Sequence, residues 1–206
     1  MVTRIVIRFI VLEVIMLSSA LLRSARETRG LTQRELAKAA RIAQPRIADI
    51  ESGAHDTTVG RMEQLLAPLG QRVTILPTRA RPVWEAASAL AAALEGGDEK
   101  SAWRVFIQLS DDLVRAEPAL RVALCVAEPA RTGEIRYDAL LAGIVDHWLT
   151  SGRLPVPMWV RTSERICRPS WDVETLPQLR DTARRHTPPG LRRHGVYLAA
   201  SELASV

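Results

Sequence analysis

Histidine and cysteine are the residues of this sequence best suited to catalysis or metal binding, but their spacing supports neither. They are scattered, with no CxxC pair and no Cys/His cluster at metal-ligand spacing: His55, His147, His186, His194, Cys125 and Cys167. His147 follows Asp146 directly, and adjacent helical residues do not share a face. His186 and His194 flank a basic turn and are predicted to be surface residues. Because no GxSxG, P-loop, GxGxxG or HExxH motif occurs, we predict no catalytic residue, no metal and no cofactor.

The positive charge of the chain is concentrated in one block. Residues 21–81 hold 11 Arg or Lys against 6 Asp or Glu (11 − 6 = +5), which equals the formal net charge of the whole chain. A basic block of this size is typical of a module that meets phosphates, although a solvated arginine-rich surface has the same composition.

The 206 residues are long enough for two small domains. We predict one domain over residues 16–77 and a second over 84–206, joined by a proline-bounded linker at 78–83. Residues 1–15 are an uncertain leader, because charged residues interrupt its apolar run and make it too short for a membrane span. A translation start at Met16 and a secretory signal are the two alternatives for this leader.

Two short helical patterns around a polar turn lie inside the basic block. Thr32 and Glu35 form a T-x-x-E capping box that opens the first helix. Pro45 suits the first turn of the second helix, and Gly53 ends it. Apolar residues at helical spacing give each helix one inner face: Leu36, Ala37, Ala40, Ile47 and Ile50. A helix, a tight turn and a second helix with a polar outer face predict a helix-turn-helix.

With its flanks, this stretch resembles the lambda-repressor-like, or XRE-family, DNA-binding domain over roughly residues 17–77. The residues that occupy family positions together are Gln33, Glu35-Leu36-Ala37, Ile47, Ile50-Glu51 and Gly53. The resemblance implies a five-helix bundle that presents its third helix to the major groove of double-stranded DNA.

The resemblance also implies which side chains meet DNA. Gln44, Arg46 and Asp49 are the implied base-reading residues of the third helix. Glutamine can bond adenine N6 and N7, arginine can take guanine or a phosphate, and aspartate can accept from cytosine N4 or orient the arginine. Gln33 is the implied phosphate contact that braces the reading helix. The other implied phosphate neighbours add to salt sensitivity rather than to specificity: Arg34, Arg41, His55 and Arg61.

Two positions depart from the family pattern. Arg41 stands at the turn position where glycine is usual, and a left-handed backbone there costs about 1 kcal/mol. Ala43 stands where a Ser or Thr cap is usual, so Gln44 or a water must serve the free N–H groups of the third helix.

A fourth and a fifth helix are predicted to complete the bundle, capped by Thr57 or Thr58 and ended by Gly70. The next residues, QRVTILP at 71–77, predict one short strand. The resemblance implies that such a strand can help to pair two chains, so a homodimer is expected.

The second domain is predicted to be mostly α-helical. Helical patterns cover Trp84 to Leu94, Ala102 to Leu109, Pro118 to Val126 and Tyr137 to Leu149. Ser110-Asp111-Asp112 is predicted to start another helix, with carboxylates that act as caps rather than as catalysts.

After Gly152 the sequence is rich in proline and tryptophan, which favours an extended segment packed over the helices. Trp159 and Trp171 are predicted core residues, with a groove for a partner peptide as the alternative. Val196-Tyr197-Leu198 is either a short strand or the approach to a final turn. The predicted fold class is therefore mainly α: a five-helix lambda-repressor-like bundle, a short strand and a second mostly α-helical domain.

Three functions remain open for such a chain. The predicted one is a cytoplasmic, dimeric transcriptional repressor that reads a near-palindrome with half-sites about one helical turn apart. The alternative is an antitoxin whose second domain neutralises a toxin, because the closing RRHGVYLAASEL is similar to the tails of bacterial helix-turn-helix proteins encoded beside nucleotidyltransferase-like toxins. The third is an enzyme built on the second domain. A toxin protein or a small-molecule effector is the open partner of that domain, and no membrane is expected.

Overall fold

The computed structural model describes residues 18–203 and divides the chain into two compact units, one ending at Pro77 and the other beginning at Thr78. We call them the N-terminal and the C-terminal unit. The predicted leader at 1–15 and the alternative start at Met16 lie outside the described residues. Both units are mainly helical, which confirms the predicted fold class.

The described part of the N-terminal unit is built from four α-helices and one 3-10 turn. Helix α1 includes residues 18–28, and α2 (Gln33–Ala40), α3 (Gln44–Ser52) and α4 (Val59–Leu66) follow. The expected fifth helix is the single 3-10 turn Ala67–Leu69, which ends where the next glycine turns into the left-handed region.

Local side-chain bonds start these helices where the sequence predicts. The Thr32 hydroxyl accepts from the Glu35 N–H at 3.2 Å, and the Glu35 carboxylate accepts from the Thr32 N–H at 2.7 Å, so the capping box is confirmed. The Thr58 hydroxyl caps α4 by accepting from the Arg61 N–H at 3.2 Å. Arg41 ends α2 with a φ of 56°, the left-handed conformation that costs a residue with a Cβ about 1 kcal/mol. Ala43 makes no side-chain cap bond at the start of α3.

The core of the N-terminal unit is entirely aliphatic. Each helix contributes one stripe at helical spacing, and together the stripes close a small apolar cluster. Its buried members are Leu22, Ala25, Leu36, Ala37, Ile47, Ile50, Met62, Leu65, Leu66 and Leu69.

The C-terminal unit is larger and surrounds one central helix. Its helices are α5 (Val83–Glu95), α6 (Glu99–Arg115), α7 (Pro118–Cys125), α8 (Ile135–Ser151), α9 (Pro177–Arg185) and α10 (Pro189–Arg193). Every side chain of α8 from residue 137 to 146 is buried, because the other helices pack around it on all sides. The predicted bounds of α5, α7 and α8 are confirmed to within two residues.

The strand predicted at residues 71–77 does not form. The structure assigns neither helix nor strand to that stretch, and most of its side chains are exposed. A strand needs a neighbour for its N–H and C=O groups, and the described residues supply none there. The strands that do form, β1 (Trp171–Asp172) and β2 (Val196–Tyr197), lie in the C-terminal unit and pair in parallel.

The helix start predicted at Ser110-Asp111-Asp112 is also wrong. These residues lie inside α6, whose start is capped by Asp98 through a 2.9 Å bond from the Ser101 N–H. The buried Ser110 hydroxyl accepts from the Trp148 indole N–H at 3.0 Å and donates to the Leu203 carbonyl. A polar triplet resembles a cap in the sequence, but here the partners of Ser110 come from distant segments.

The prediction that His194 is a surface residue is wrong, whereas His186 is exposed. His194 is buried, with Nδ1 2.9 Å from the Arg165 carbonyl and Nε2 3.6 Å from the Asp146 carboxylate. Asp146 faces this later histidine instead of its chain neighbour His147. Close packing of α10 on α8 brings His194 and Asp146 together. The two helices are so close that a Cβ on Gly190 would lie 2.6 Å from the backbone nitrogen of His147.

The tryptophans of the later segment contribute to packing. Trp159 is buried, and its indole N–H donates to the Cys125 carbonyl at 3.0 Å. Trp171 is partly buried, 5.6 Å from the ring of Tyr137. Burial raises the pKa of the Cys125 thiol to about 12, so this cysteine packs as a small apolar residue rather than acting as a nucleophile.

Between residues 18 and 203, no helix is long and apolar enough to cross a membrane.

Candidate nucleic-acid interface

Helix α3 has a buried face and a polar outer face. Ile47, Ile50 and Glu51 point into the N-terminal unit. Gln44 and Arg46 are exposed on the outer side of the same helix. Pro45 is accommodated in the first turn, where its missing N–H needs no partner. Tight packing therefore fixes a helix whose outer surface offers hydrogen-bonding groups.

A buried carboxylate lies behind this surface. Glu51 is 1% exposed, and its two oxygens accept from Arg26 at 2.7 and 2.8 Å. Gln33 donates from Nε2 to the same carboxylate at 3.0 Å. The hydrogen bonds from Arg26 offset the free-energy cost of burying the Glu51 charge. The same hydrogen bonds raise the pKa of Arg26.

This carboxylate sets the orientation of two amides in series. An ionised carboxylate only accepts hydrogen bonds, so the amide nitrogen of Gln33 must face Glu51. The Gln33 oxygen is then left to accept from Gln44 Nε2, at 3.1 Å. Gln44 consequently presents its carbonyl oxygen and its second N–H outward. We call this chain of bonds, Arg26–Glu51–Gln33–Gln44, the amide relay.

The other two predicted base-reading residues are not joined to each other. Among the residues that the structure describes, no hydrogen bond or ion pair links Arg46 and Asp49. Asp49 is half-buried, and its backbone carbonyl accepts the N–H groups that close the end of α3. Because neither side chain forms a hydrogen bond or ion pair with any residue between 18 and 203, both keep their polar groups available.

The predicted phosphate neighbours are all exposed, on four different segments. Arg34 lies on α2, Arg41 at its end, His55 after α3 and Arg61 in the first turn of α4. Arg61 donates to the Gln64 side chain at 3.0 Å. The structure brings Gln33 and Gln44 into direct contact. Within residues 18–203, none of these four side chains forms a hydrogen bond with that pair.

The importance of Arg26 and Glu51 was not predicted, although the sequence contains a signal for both. Glu51 stands four residues after Ile47 and next to Ile50, so helical periodicity places Glu51 on the inner face of α3 with these apolar residues. Arg26 stands four residues after Leu22 on the inner face of α1. Opposite charges at core positions of two helices predict a buried pair.

Two short helices, a tight turn and a braced outer face define a helix-turn-helix unit. Residues 22–76 match the protein family described as helix-turn-helix. Over 58 residues the chain is 35% identical to a Haemophilus influenzae protein described as an uncharacterized HTH-type transcriptional regulator. The matched stretch is 28% of this chain and spans 59% of that relative. No solved structure matches the chain significantly.

The family match at residues 22–76 confirms the predicted resemblance of this stretch to XRE-type helix-turn-helix domains. Residues 77–206 lie outside the family match.

Proposed function

We propose that the protein is a sequence-specific DNA-binding transcriptional regulator, acting as a repressor, with α3 in the major groove. The observation that carries this proposal is the amide relay. It holds Gln44 on an exposed helix face with one acceptor and one donor directed outward.

The oriented groups fit a base edge. The outward carbonyl oxygen and N–H of Gln44 match the N6 donor and N7 acceptor of adenine. Arg46 takes a guanine or a phosphate, and Asp49 accepts from cytosine N4. Arg34, Arg41, His55 and Arg61 contact the phosphates beside these bases, together with Gln33.

The regulator acts as a homodimer on a near-palindromic operator. Support comes from residues 71–77, where Val73, Ile75 and Leu76 are exposed and Ile75 is 92% exposed. Pairing of this stretch between two copies supplies the missing strand neighbour and covers these apolar side chains. Sedimentation of the purified protein at micromolar concentration tests the dimer, and a monomer would contradict it.

Replacing Gln44 with alanine is expected to cost about 1 to 3 kcal/mol at one base position of the operator. The operator is first selected from randomised duplexes, and affinities are then measured by fluorescence anisotropy on selected and scrambled DNA. The matched control is Gln178→Ala, the same change on an exposed helix of the C-terminal unit. Equal losses on selected and scrambled DNA would contradict a base-reading role.

A second candidate function is that of an antitoxin, with a toxin protein bound to the C-terminal unit. The observation that favours it is an apolar stripe on α9. Ala183 is buried at one end of the stripe, but Leu176 and Leu179 are 49% and 45% exposed at the other. Co-expression with the protein of the neighbouring gene tests this function. Loss of its toxicity with the wild type, but not with a Leu176→Ser/Leu179→Ser variant, is the expected result.

A further inference from the structure

Two arginines outside the predicted contact set lie at one corner of the N-terminal unit. Arg29 follows the end of α1, and Arg72 follows the end of the bundle. Arg29 donates from Nε to the Leu69 carbonyl at 2.8 Å, which ties the two chain segments together. We call this pair of arginines and the backbone between them the basic corner.

The backbone of the basic corner is held in place. Gly70 has a φ of 71°, and a Cβ there would lie 2.8 Å from a terminal nitrogen of Arg29. Glycine therefore lets the guanidinium group lie directly against the chain. Beyond it, the Gln71 N–H donates to the Leu66 carbonyl at 3.1 Å and the Val73 N–H to the Glu63 carboxylate at 2.7 Å. The segment that carries Arg72 is thus fixed against α4.

The charged ends of both arginines remain available. Apart from the Leu69 carbonyl, the Arg29 side chain bonds to no residue between 18 and 203. Its terminal nitrogens keep the planar pair of donors that suits a phosphate. Arg72 is 70% exposed, and its carboxylate partner, Glu63, is 3.8 Å away. Such an exposed, long ion pair contributes little to stability and can be exchanged for a phosphate.

The basic corner adjoins the predicted DNA contacts. Arg29 precedes Gln33 by four residues, so their Cα atoms are at most about 15 Å apart. That distance corresponds to about four base-pair steps along a duplex. Arg72 lies 3.8 Å from Glu63 on α4, the helix whose first turn carries Arg61, another predicted phosphate neighbour. Both arginines therefore lie beside segments already assigned to phosphate contact.

We propose that Arg29 and Arg72 bind backbone phosphates of the duplex DNA next to the bases read by α3. They extend the contact along the DNA and add affinity without sequence preference. This inference rests on the proposed DNA-binding function. The terminal nitrogens of these arginines are not needed to hold the unit together, and the inference gives them a role in DNA binding.

The test is the salt dependence of binding. Each phosphate contact adds about 0.9 to the slope of log K against log salt concentration. The Arg72→Gln variant is expected to lower the slope by about 0.9, and Arg29→Gln/Arg72→Gln by about 1.8, on selected and scrambled duplexes alike. The ratio of the two affinities should not change.

The matched control is Arg104→Gln/Arg161→Gln, which removes the same charge from exposed positions of the C-terminal unit. An unchanged slope for the corner variants, or an equal fall for the control, would overturn the inference. Because Arg29 also bonds to Leu69, thermal melting by circular dichroism accompanies the double variant. If the double variant is unstable, the salt slope of Arg72→Gln alone tests the inference.

The outcome separates this inference from the function on which it rests. A wild type that binds no duplex at low salt contradicts both. The basic corner alone is contradicted by a different set of results. In that set the wild type discriminates between the duplexes, Gln44→Ala does not, and the corner variants have the salt slope of the wild type.

Discussion

Replacing Glu51 with alanine is expected to destabilise the N-terminal unit by about 3 to 5 kcal/mol, the usual effect of removing one partner of a buried ion pair. The variant leaves the guanidinium of Arg26, which is 12% exposed, without its anion. It also removes the acceptor that orients Gln33. A cavity in a small aliphatic core adds to the loss.

The matched control for Glu51 is Glu27. Both carboxylates contact Arg26, but Glu27 is 48% exposed and 3.4 Å from it. Glu27→Ala is expected to change the free energy of unfolding by less than about 1 kcal/mol, because exposed ion pairs are weak. Similar losses in both variants would show that the burial of Glu51 has no special effect.

The chain offers a clean way to measure the effect of Glu51. All five tryptophans lie in the C-terminal unit: Trp84, Trp103, Trp148, Trp159 and Trp171. Urea unfolding followed by tryptophan fluorescence therefore reports on that unit, whereas far-ultraviolet circular dichroism reports on both. In Glu51→Ala, the dichroism should show an early transition that the fluorescence does not follow.

Replacing Asp146 with asparagine is expected to destabilise the C-terminal unit by about 2 kcal/mol at pH 7. Asp146 is buried on α8 and accepts from Arg193 Nε at 2.8 Å and from the Thr150 hydroxyl at 3.0 Å. Burial alone would raise the pKa of this carboxyl. The His194 ring, Arg193 and Thr150 outweigh burial and lower the pKa to about 2.

The low pKa gives the effect of Asp146 a defined pH dependence. A carboxyl group whose pKa is lower in the folded than in the unfolded state stabilises the fold above its unfolded pKa, near 4. That contribution is lost as the pH falls from about 4 to about 2. The stability difference between the wild type and Asp146→Asn should therefore shrink over this range.

Tryptophan fluorescence during urea unfolding at several pH values measures this difference. Asp181→Asn is the matched control, because Asp181 is exposed on α9. It should show the unfolding free energy of the wild type throughout. A difference between the wild type and Asp146→Asn that persists undiminished at pH 2.5 would mean that the hydrogen bonds accepted by both carboxyl oxygens, rather than the charge, stabilise the unit.

Several features of the candidate site were predictable because they depend on residues close in the chain. The capping box needs only Thr32 and Glu35, three residues apart. The left-handed turn at Arg41 agrees with the resemblance, which implies a turn position where glycine is usual. The apolar stripes of α2 and α3 follow from helical periodicity, so the helix-turn-helix could be predicted without coordinates.

The failed predictions concern partners that are distant in the chain. Residues 71–77 have the composition of a strand, but composition does not supply the neighbouring strand that hydrogen bonding needs. Ser110 resembles a helix cap until Trp148 and Leu203 provide its bonds. His194 follows two arginines and resembles a surface residue until Asp146 and the Arg165 carbonyl surround it.

The sequence by itself determined the class of the N-terminal unit, the limits of most helices and the residues of α3 that face outward. Each of these depends on local periodicity and capping, which act over a few residues. Only the tertiary structure decided that Glu51 orients Gln33 and Gln44, and that Arg29 and Arg72 share a corner. The reason is physical: a hydrogen bond depends on the distance and direction between two groups in space, and groups far apart in the chain acquire both only when the helices pack.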